Sequence, residues 1–172
     1  MGRDWFTNSR RAAQAAKHYA IDSAHRIKGL GENSCGMSAS ISPTSGYSGH
    51  YSSYPIGAGY QLIEDGTVAP YGARSFLPFT PEASISVLKH MYTIPGLIGK
   101  YGLYHAYSYA MKANGDMPWI GKSYLGIDKG LVLLMFENYS TQLIWKLLHR
   151  NKYINKGLKT LEFSQTDNVD KW

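Results

Sequence analysis

Cysteine and charge are both scarce in this sequence of 172 residues. Its single cysteine, Cys35, excludes a disulfide-stapled fold and the paired-cysteine zinc motifs. Charged residues make up 17%, below the roughly 25% of typical soluble domains. Aromatic residues make up 13%, which excludes an intrinsically disordered chain. The composition therefore indicates a folded chain, part of whose surface avoids water.

Long apolar runs are missing as well. The longest run, 131–136, is far shorter than the roughly 20 residues that a membrane helix needs. The N-terminal sequence MGRDWFTNSRR has no apolar segment of the kind that signal peptides carry, and Phe6 stands where a myristoylation motif needs Ser or Thr. We therefore expect no membrane partner and, for the chain as written, a cytoplasmic location.

Motifs for nucleic acid, metal and nucleotide binding are also absent. The net charge is +6, but the basic residues are scattered and form no run of five, so we expect solvated helix faces and no nucleic-acid partner. The six histidines show no metal-ligand spacing, and no HExxH, GxSxG, Walker or GxGxxG motif occurs. We therefore predict neither a metal site nor a cofactor.

Periodicity and capping residues predict three helices in an all-α fold. The first, at 8–28, is rich in alanine, and the second begins at Thr80 and ends before Pro95. The third spans 126–149 and is apolar almost all round in its first half, so we expect neighbours to bury it on several sides. Between the first two, about 30–79 is rich in Gly, Ser and Pro and predicts a long irregular loop region.

Several carboxylates stand out as candidates for chemistry. Glu137 lies in an apolar stretch, where a carboxylate either faces a polar cavity or caps a neighbouring helix. Asp128 begins the same helix, and the helix dipole alone accounts for an acid there. Glu32 follows a glycine turn and is either an exposed loop residue or a site residue. Glu64 and Asp65 are typical of a turn.

The loops are rich in aromatic residues, which fits carbohydrate binding. Aromatic faces pack on pyranose rings, although tyrosines also fill polar cores. These aromatic residues are Tyr47, Tyr51, Tyr54, Tyr60, Tyr71, Trp119 and Tyr124.

Four segments resemble, in order, the motifs of one family. The stretch 31–40 reads GENSCGMSAS and 64–82 reads EDGTVAPYGARSFLPFTPE. The stretch 100–107 reads KYGLYHAY, and 124–163 contains GIDKG and ENY. They are similar to motifs of glycoamylase-like domains, which are (α/α)6 toroids related to endo-β-1,2-glucanases and to part of the cyclic β-glucan synthases. The resemblance implies that residues 1–172 are a single unit, the C-terminal half of such a toroid.

The resemblance also implies a β-linked glucan as ligand and catalysis by two carboxylates, one of them an acid. At the two positions where it implies catalytic acids, this sequence has Ile41 and His105. An isoleucine transfers no proton, whereas a histidine can act as acid or base near neutral pH. The catalytic residues therefore stay unassigned, with Glu32, Glu137 and His105 as candidates.

Other family positions are retained or changed. Retained polar residues that the resemblance implies could bind sugar are Glu32, Asn33, Tyr124, Asp128 and Glu137. At three other positions this sequence differs from the family motifs. It has Cys35 where the motif has a tryptophan, Leu131 where it has a proline, and Ser140 where it has an arginine.

Three hypotheses follow for the function. The first is a glucan-binding or vestigial domain with a degenerate catalytic site. The second is an active glycoside hydrolase, completed by a partner chain or by an N-terminal half. The third is a structural or interaction module. Because twelve helices need more than about 200 residues, we expect this chain to be an incomplete toroid that self-associates or binds a partner chain. The family is often exported, which leaves the location of a longer protein open.

Overall fold

The computed structural model describes residues 4–44, 46–49, 64–111 and 114–164. Its helices are α1 (Trp5–Asp22), α2 (Pro70–Arg74), α3 (Pro81–Met91), α4 (Gly126–Thr141), α5 (Leu143–Arg150) and α6 (Lys152–Thr160). Its strands are β1 (Ser40–Ser42), β2 (Gly46–Ser48), β3 (Thr67–Val68), β4 (Ile98–Gly99), β5 (Gly102–Leu103), β6 (Ala106–Ser108) and β7 (Trp119–Gly121). Within these ranges, no helix is long and apolar enough to cross a membrane.

The predicted helical character is found, but the fold is not purely all-α, because three small antiparallel sheets accompany the helices. One sheet pairs β1 with β2, one pairs β4 with β5, and the third has the order β3-β6-β7. The predicted irregular region, about 30–79, contains β1, β2, β3 and the short helix α2, while its residues 50–63 lie outside the described ranges. Strands of two or three residues are too short to show a readable alternation in sequence.

Helix α1 begins and ends earlier than the predicted 8–28. Asp4 is its N-cap, and the Asp4 carboxylate accepts the Thr7 backbone N–H at 3.0 Å and the Thr7 hydroxyl at 2.6 Å. Beyond the cap, the Phe6 ring packs on Phe79 and Trp145, with centroids 5.1 Å and 6.4 Å away. These two partners are distant in sequence, so the periodicity of α1 did not reveal them.

A clamp of three side chains joins α1 to the start of β3. Arg26 donates two hydrogen bonds to the Glu64 carboxylate, at 2.6 Å and 2.7 Å, and the Tyr19 hydroxyl donates a third at 2.5 Å. The next residue, Asp65, is buried and accepts the Thr67 N–H at 3.0 Å. The predicted turn at 64–65 is therefore also a tertiary attachment.

The long predicted helix at 126–149 is broken in two. Gln142 has a φ of 60°, and its N–H still donates to the Asn138 carbonyl at 3.0 Å. The buried Asn138 side chain accepts the Trp145 N–H at 3.1 Å and so caps the first turn of α5. Helix α6, which begins at an Asn151 cap, was not predicted.

The core packs α1, α3 and the central sheet around one buried cluster. Its members include Ile27, Leu30, Val68, Val87, Met91, Leu97, Leu103 and Tyr107. None of the residues of α5 and α6 is buried. On α4, the side chains of Ile127 and Leu133 are 79% and 70% exposed. Within the described chain, the expected burial of the apolar 126–149 segment on several sides is therefore not found.

Gly36 is required where the chain passes α2. Its φ is 125°, and a Cβ there would lie 2.8 Å from the Ala69 carbonyl oxygen and 3.1 Å from the Ala73 nitrogen. Both are backbone atoms of the α2 turn, so neither can swing aside. We expect Gly36→Ala to lower the free energy of unfolding by about 1–3 kcal/mol. Gly31→Ala is the matched control, since nothing lies within 4 Å of its Cβ position; equal losses in urea titrations of both variants would contradict the prediction.

Candidate functional site

A buried histidine and a buried aspartate form the centre of the candidate site. His105 lies directly before β6, and Asp128 lies in the first turn of α4. The His105 Nδ1 and the Asp128 Oδ2 are 2.5 Å apart, and both side chains are buried. On the other side of the ring, the Ile41 backbone N–H lies 3.1 Å from Nε2. The pair thus links β1, β6 and α4.

The hydrogen-bond pattern assigns the protons of His105. The backbone N–H of Ile41 can only donate, so Nε2 is an acceptor. The proton of the ring is then on Nδ1, where it is donated to the Asp128 carboxylate. Both ring nitrogens are therefore used inside the protein, and neither is presented to a ligand.

The Tyr71 ring lies against the His105 ring. In the sequence, Tyr71 appeared only as one of the aromatic residues of the loops. The two rings are stacked, with centroids 6.3 Å apart and planes 14° apart. The Tyr71 hydroxyl lies 2.8 Å from the Ser38 hydroxyl and donates to the Ala39 carbonyl at 3.0 Å. Burial raises the pKa of Tyr71, so its phenol stays protonated and acts as a hydrogen-bond donor.

Two cations lie near Asp128, and the sequence indicated neither. Lys129 donates to the Leu103 carbonyl at 2.6 Å, and its Nζ lies 5.2 Å from the centroid of the Tyr124 ring. Burial lowers the pKa of Lys129, and the positive charge of Arg74 lowers it further. The pKa of Arg74 is itself lowered by burial. The site is therefore electropositive beside its one carboxylate.

Tyr124, a predicted sugar-binding residue, belongs to an aromatic cluster at the start of α4. Its ring lies 5.4 Å from that of Tyr101 and 4.9 Å from that of Tyr104, and its hydroxyl accepts the Tyr101 N–H at 3.3 Å. A Cβ on Gly99 would lie 2.1 Å from the Tyr124 hydroxyl, so a larger residue in the β4–β5 hairpin would displace the outer ends of the Tyr124 and Tyr104 rings. Tyr101 is exposed and gives the cluster an aromatic surface.

Glu137 does not approach this site. It lies nine residues after Asp128 on the same helix, so it faces the opposite side, about 13 Å further along the axis. Its carboxylate accepts the Thr141 hydroxyl at 2.5 Å. Among the described residues, neither the predicted polar cavity nor a cap on another helix is found for Glu137.

Glu32 lines a third place, a cleft between α1 and α3, and Asn33 is attached to the same cleft through Ser86. The exposed Glu32 pairs with Lys17 at 3.2 Å, and Asn33 accepts the Ser86 hydroxyl at 2.6 Å. The cleft has a volume of about 670 Å³ and is lined by both members of the ion pair and by Ser86. The structure thus brings together Tyr124, His105 and Asp128, but not Glu32, Asn33 or Glu137. Across the described ranges, no group of three potential ligands could hold a metal ion.

A family comparison decides what kind of chain this is. The model of the family described as "Glycoamylase: Putative glucoamylase" matches residues 1–152. The chain belongs to the glycoamylase family. This confirms the resemblance of the four sequence motifs.

Some proteins similar to this glycoamylase-family chain are named for β-1,2-glucans, and others are named putative glucoamylases. It is 28% identical over 167 residues to the exo-β-1,2-glucooligosaccharide sophorohydrolase (non-reducing end) of Parabacteroides distasonis. It superposes with a TM-score of 0.78 and 31% identity on the endo-β-1,2-glucanase of Chitinophaga pinensis, solved with sophorotriose and glucose. With the β-1,2-glucanase of Parabacteroides distasonis the TM-score is 0.74 and the identity is 28%.

The glycoamylase-family chain is much shorter than these relatives. They match 92%, 95% and 91% of it, respectively, but it covers only 20%, 36% and 21% of their own lengths. It therefore corresponds to between about a fifth and about a third of each relative.

Proposed function

We propose that this chain is a β-glucan-binding part of a glycoamylase-like domain and has no hydrolytic activity of its own. The observation that carries the proposal is the geometry of His105. His105 stands at one of the two positions where the family resemblance implies a catalytic acid. The His105 ring is buried, donates a hydrogen bond to Asp128 and accepts one from the Ile41 N–H. At the other position, Ile41 offers only a side chain without a proton to transfer.

The remaining carboxylates support the absence of hydrolysis. Glycoside hydrolases use two carboxyl groups that are about 5–5.5 Å apart when they retain configuration and about 6.5–9.5 Å apart when they invert it. Asp128 is engaged by His105, and Glu137 lies on the opposite face of the same helix, about 13 Å further along it. Glu32 pairs with Lys17 in the separate cleft between α1 and α3. No two of the candidates form a catalytic pair.

The tyrosine cluster supports glucan binding. Tyr101 and Tyr124 present aromatic faces beside Lys129, and aromatic faces with neighbouring polar groups suit sugar rings. The named relatives act on β-1,2-linked glucans, and one was solved with sophorotriose. We propose that a β-1,2-glucan lies across this cluster.

The proposal also includes the extent of the fold. Residues 1–172 would form one unit, a C-terminal part of an (α/α)6 toroid, because the relatives are three to five times longer than the region that matches. Further helices, of the same or a separate polypeptide, would cover the apolar side chains that α4, α5 and α6 leave exposed. This surface favours a second candidate function, in which such a partner supplies the missing acids and completes an active hydrolase.

Hydrolysis is tested by reducing-sugar release from β-1,2-glucan. We expect no release above the blank by the purified chain, since neither His105 nor Asp128 is free to transfer a proton to a ligand. Turnover by the purified chain that disappears in Glu137→Gln and persists in Glu82→Gln would overturn the degenerate assignment.

Binding is tested separately by calorimetric titration with sophorotriose. We expect saturable binding that Tyr101→Ala weakens by roughly tenfold, since stacking on an aromatic ring contributes about 0.5–1.5 kcal/mol beyond its buried area. Tyr153→Ala, an exposed tyrosine on α6, is the matched control and should bind as the unchanged chain does. No binding at millimolar sugar would favour the third hypothesis, a structural or interaction module.

A further inference from the structure

A small cavity separate from the tyrosine cluster lies between α2, α3 and α4. Its volume is about 190 Å³. Its walls combine apolar side chains with one guanidinium and three hydroxyl-bearing helix residues. They are formed by Arg74, Leu77, Ser84, Ile85, Leu88, Phe136, Tyr139 and Ser140.

The charge in this cavity comes from Arg74. Its Nε donates to the Pro70 carbonyl at 2.9 Å, and within the described ranges this is its one hydrogen bond and it forms no ion pair. The terminal nitrogens of the guanidinium, four N–H donors, are thus left for a ligand.

The surroundings of Arg74 do not cancel its charge. The neighbouring carboxylate is Asp128, which already accepts from His105, and Lys129 adds a second positive charge nearby. Two cations therefore face one carboxylate. A half-buried guanidinium in this setting favours an anion with two oxygens, because a carboxylate accepts both of its parallel N–H donors.

The two serine hydroxyls of the cavity are already hydrogen-bonded. The Ser84 hydroxyl donates to the Ala73 carbonyl at 3.1 Å, and the Ser140 hydroxyl donates to the Phe136 carbonyl at 2.9 Å. The rest of the lining is largely apolar, from Leu77, Ile85 and Leu88. A ligand would consequently need one anionic group and a largely apolar body, with the Tyr139 hydroxyl as the remaining polar group in the lining.

The volume sets the size of that body. An apolar cavity of about 150 Å³ holds one benzene ring, so about 190 Å³ holds a ring with a carboxylate attached. We propose that this cavity binds a small aromatic monocarboxylate, with its carboxylate on Arg74 and its ring against Leu88 and Phe136. A sugar fits this lining poorly, because its hydroxyls would face leucine and isoleucine side chains.

Benzoate is the probe, measured by ligand-observed NMR and calorimetry on the 172-residue chain. We expect saturable binding of benzoate in the millimolar range, and binding of benzyl alcohol at least roughly tenfold weaker, because the alcohol lacks the charge-assisted hydrogen bonds. Equal affinity for the two compounds, or no saturation by benzoate, would overturn the proposal.

Three variants locate the probe. Arg74→Met should weaken benzoate binding by roughly tenfold or more, while Arg11→Met, which removes an exposed arginine on α1, should leave it unchanged. Ser140→Leu keeps Arg74 but fills the cavity and should also abolish binding. Each variant is first compared with the parent by circular dichroism, and Arg74→Lys replaces Arg74→Met if that variant unfolds. Retention of affinity in a folded Arg74→Met or Ser140→Leu chain would place benzoate elsewhere and contradict the proposal.

Discussion

Replacing His105 with leucine is expected to lower the free energy of unfolding by about 2–4 kcal/mol, because it leaves a buried carboxylate and a backbone N–H without their hydrogen-bond partner. The substitution keeps an apolar side chain of similar size but leaves two groups without their partner. The Asp128 carboxylate loses the Nδ1–H donor at 2.5 Å, and the Ile41 N–H loses its acceptor at 3.1 Å. Urea unfolding followed by circular dichroism measures the loss.

Two companion variants make this prediction specific. His18→Leu removes an exposed histidine on α1 and should change stability little. Asp128→Asn keeps an oxygen that can accept the Nδ1–H, so it should cost less than His105→Leu. If His105→Leu were as stable as His18→Leu, the hydrogen-bonded assignment of the ring would be wrong.

The second large effect concerns the apolar surface of the last three helices. The 172-residue chain by itself is expected to self-associate, because apolar patches beyond a few hundred Å² are rare on monomers. The exposed residues include Ile127, Leu133, Leu134, Leu143, Leu147, Leu148, Tyr153, Leu161 and Phe163. The double variant Leu133→Lys, Leu147→Lys should shift the chain to a monomer in sedimentation velocity, since both side chains are more than half exposed and do not support the core.

A charge control separates this effect from net charge. Gln14→Lys combined with Ala15→Lys adds the same two positive charges at exposed positions of α1 and should leave the assembly unchanged. A parent chain that is monomeric and unfolds cooperatively at the same concentrations would contradict the expected self-association.

Local signals predicted the part of the fold that depends on local interactions. Helix α3 follows three adjacent residues, with Thr80 as the N-cap, Pro81 in the first turn and Glu82 at the positive helix end, and the structure confirms it. The break at Gln142 escaped prediction because no glycine marks its left-handed backbone. The stabilising bond to Trp145 comes instead from the buried side chain of Asn138.

The sheets escaped prediction because they depend on distant pairing. Val68 pairs with Tyr107, almost forty residues later, and Tyr107 pairs in turn with Ile120. Each strand has only two or three residues, so neither length nor alternation distinguished it from a loop. The fold class therefore could not be settled from local patterns.

The candidate site was predictable as a set of residue types but not as an arrangement. His105 and Asp128 were both marked by their family positions, yet their contact depends on how β6 is placed against the first turn of α4. Arg74 and Lys129 lie inside the quoted family segments but were not singled out there, and their importance comes from burial and from each other's charge. Glu137 was marked by its apolar neighbours in sequence, although those neighbours are largely exposed in the fold.

The attachments of α1 make this helix sensitive to acid. Hydrogen bonds from Thr7 hold the pKa of Asp4 below its ordinary value of 3.8, and hydrogen bonds from Arg26 and then Tyr19 hold the pKa of Glu64 below 4.5. A carboxyl group whose pKa is lowered by folding stabilises the fold at any pH above its ordinary pKa. That stabilisation is lost as the pH falls through the lowered pKa of the folded state. Protonation in acid therefore weakens the N-cap of α1 and the clamp beyond its C-terminal end. The helix that begins the described chain is thus attached near both of its ends by carboxylates that acid neutralises.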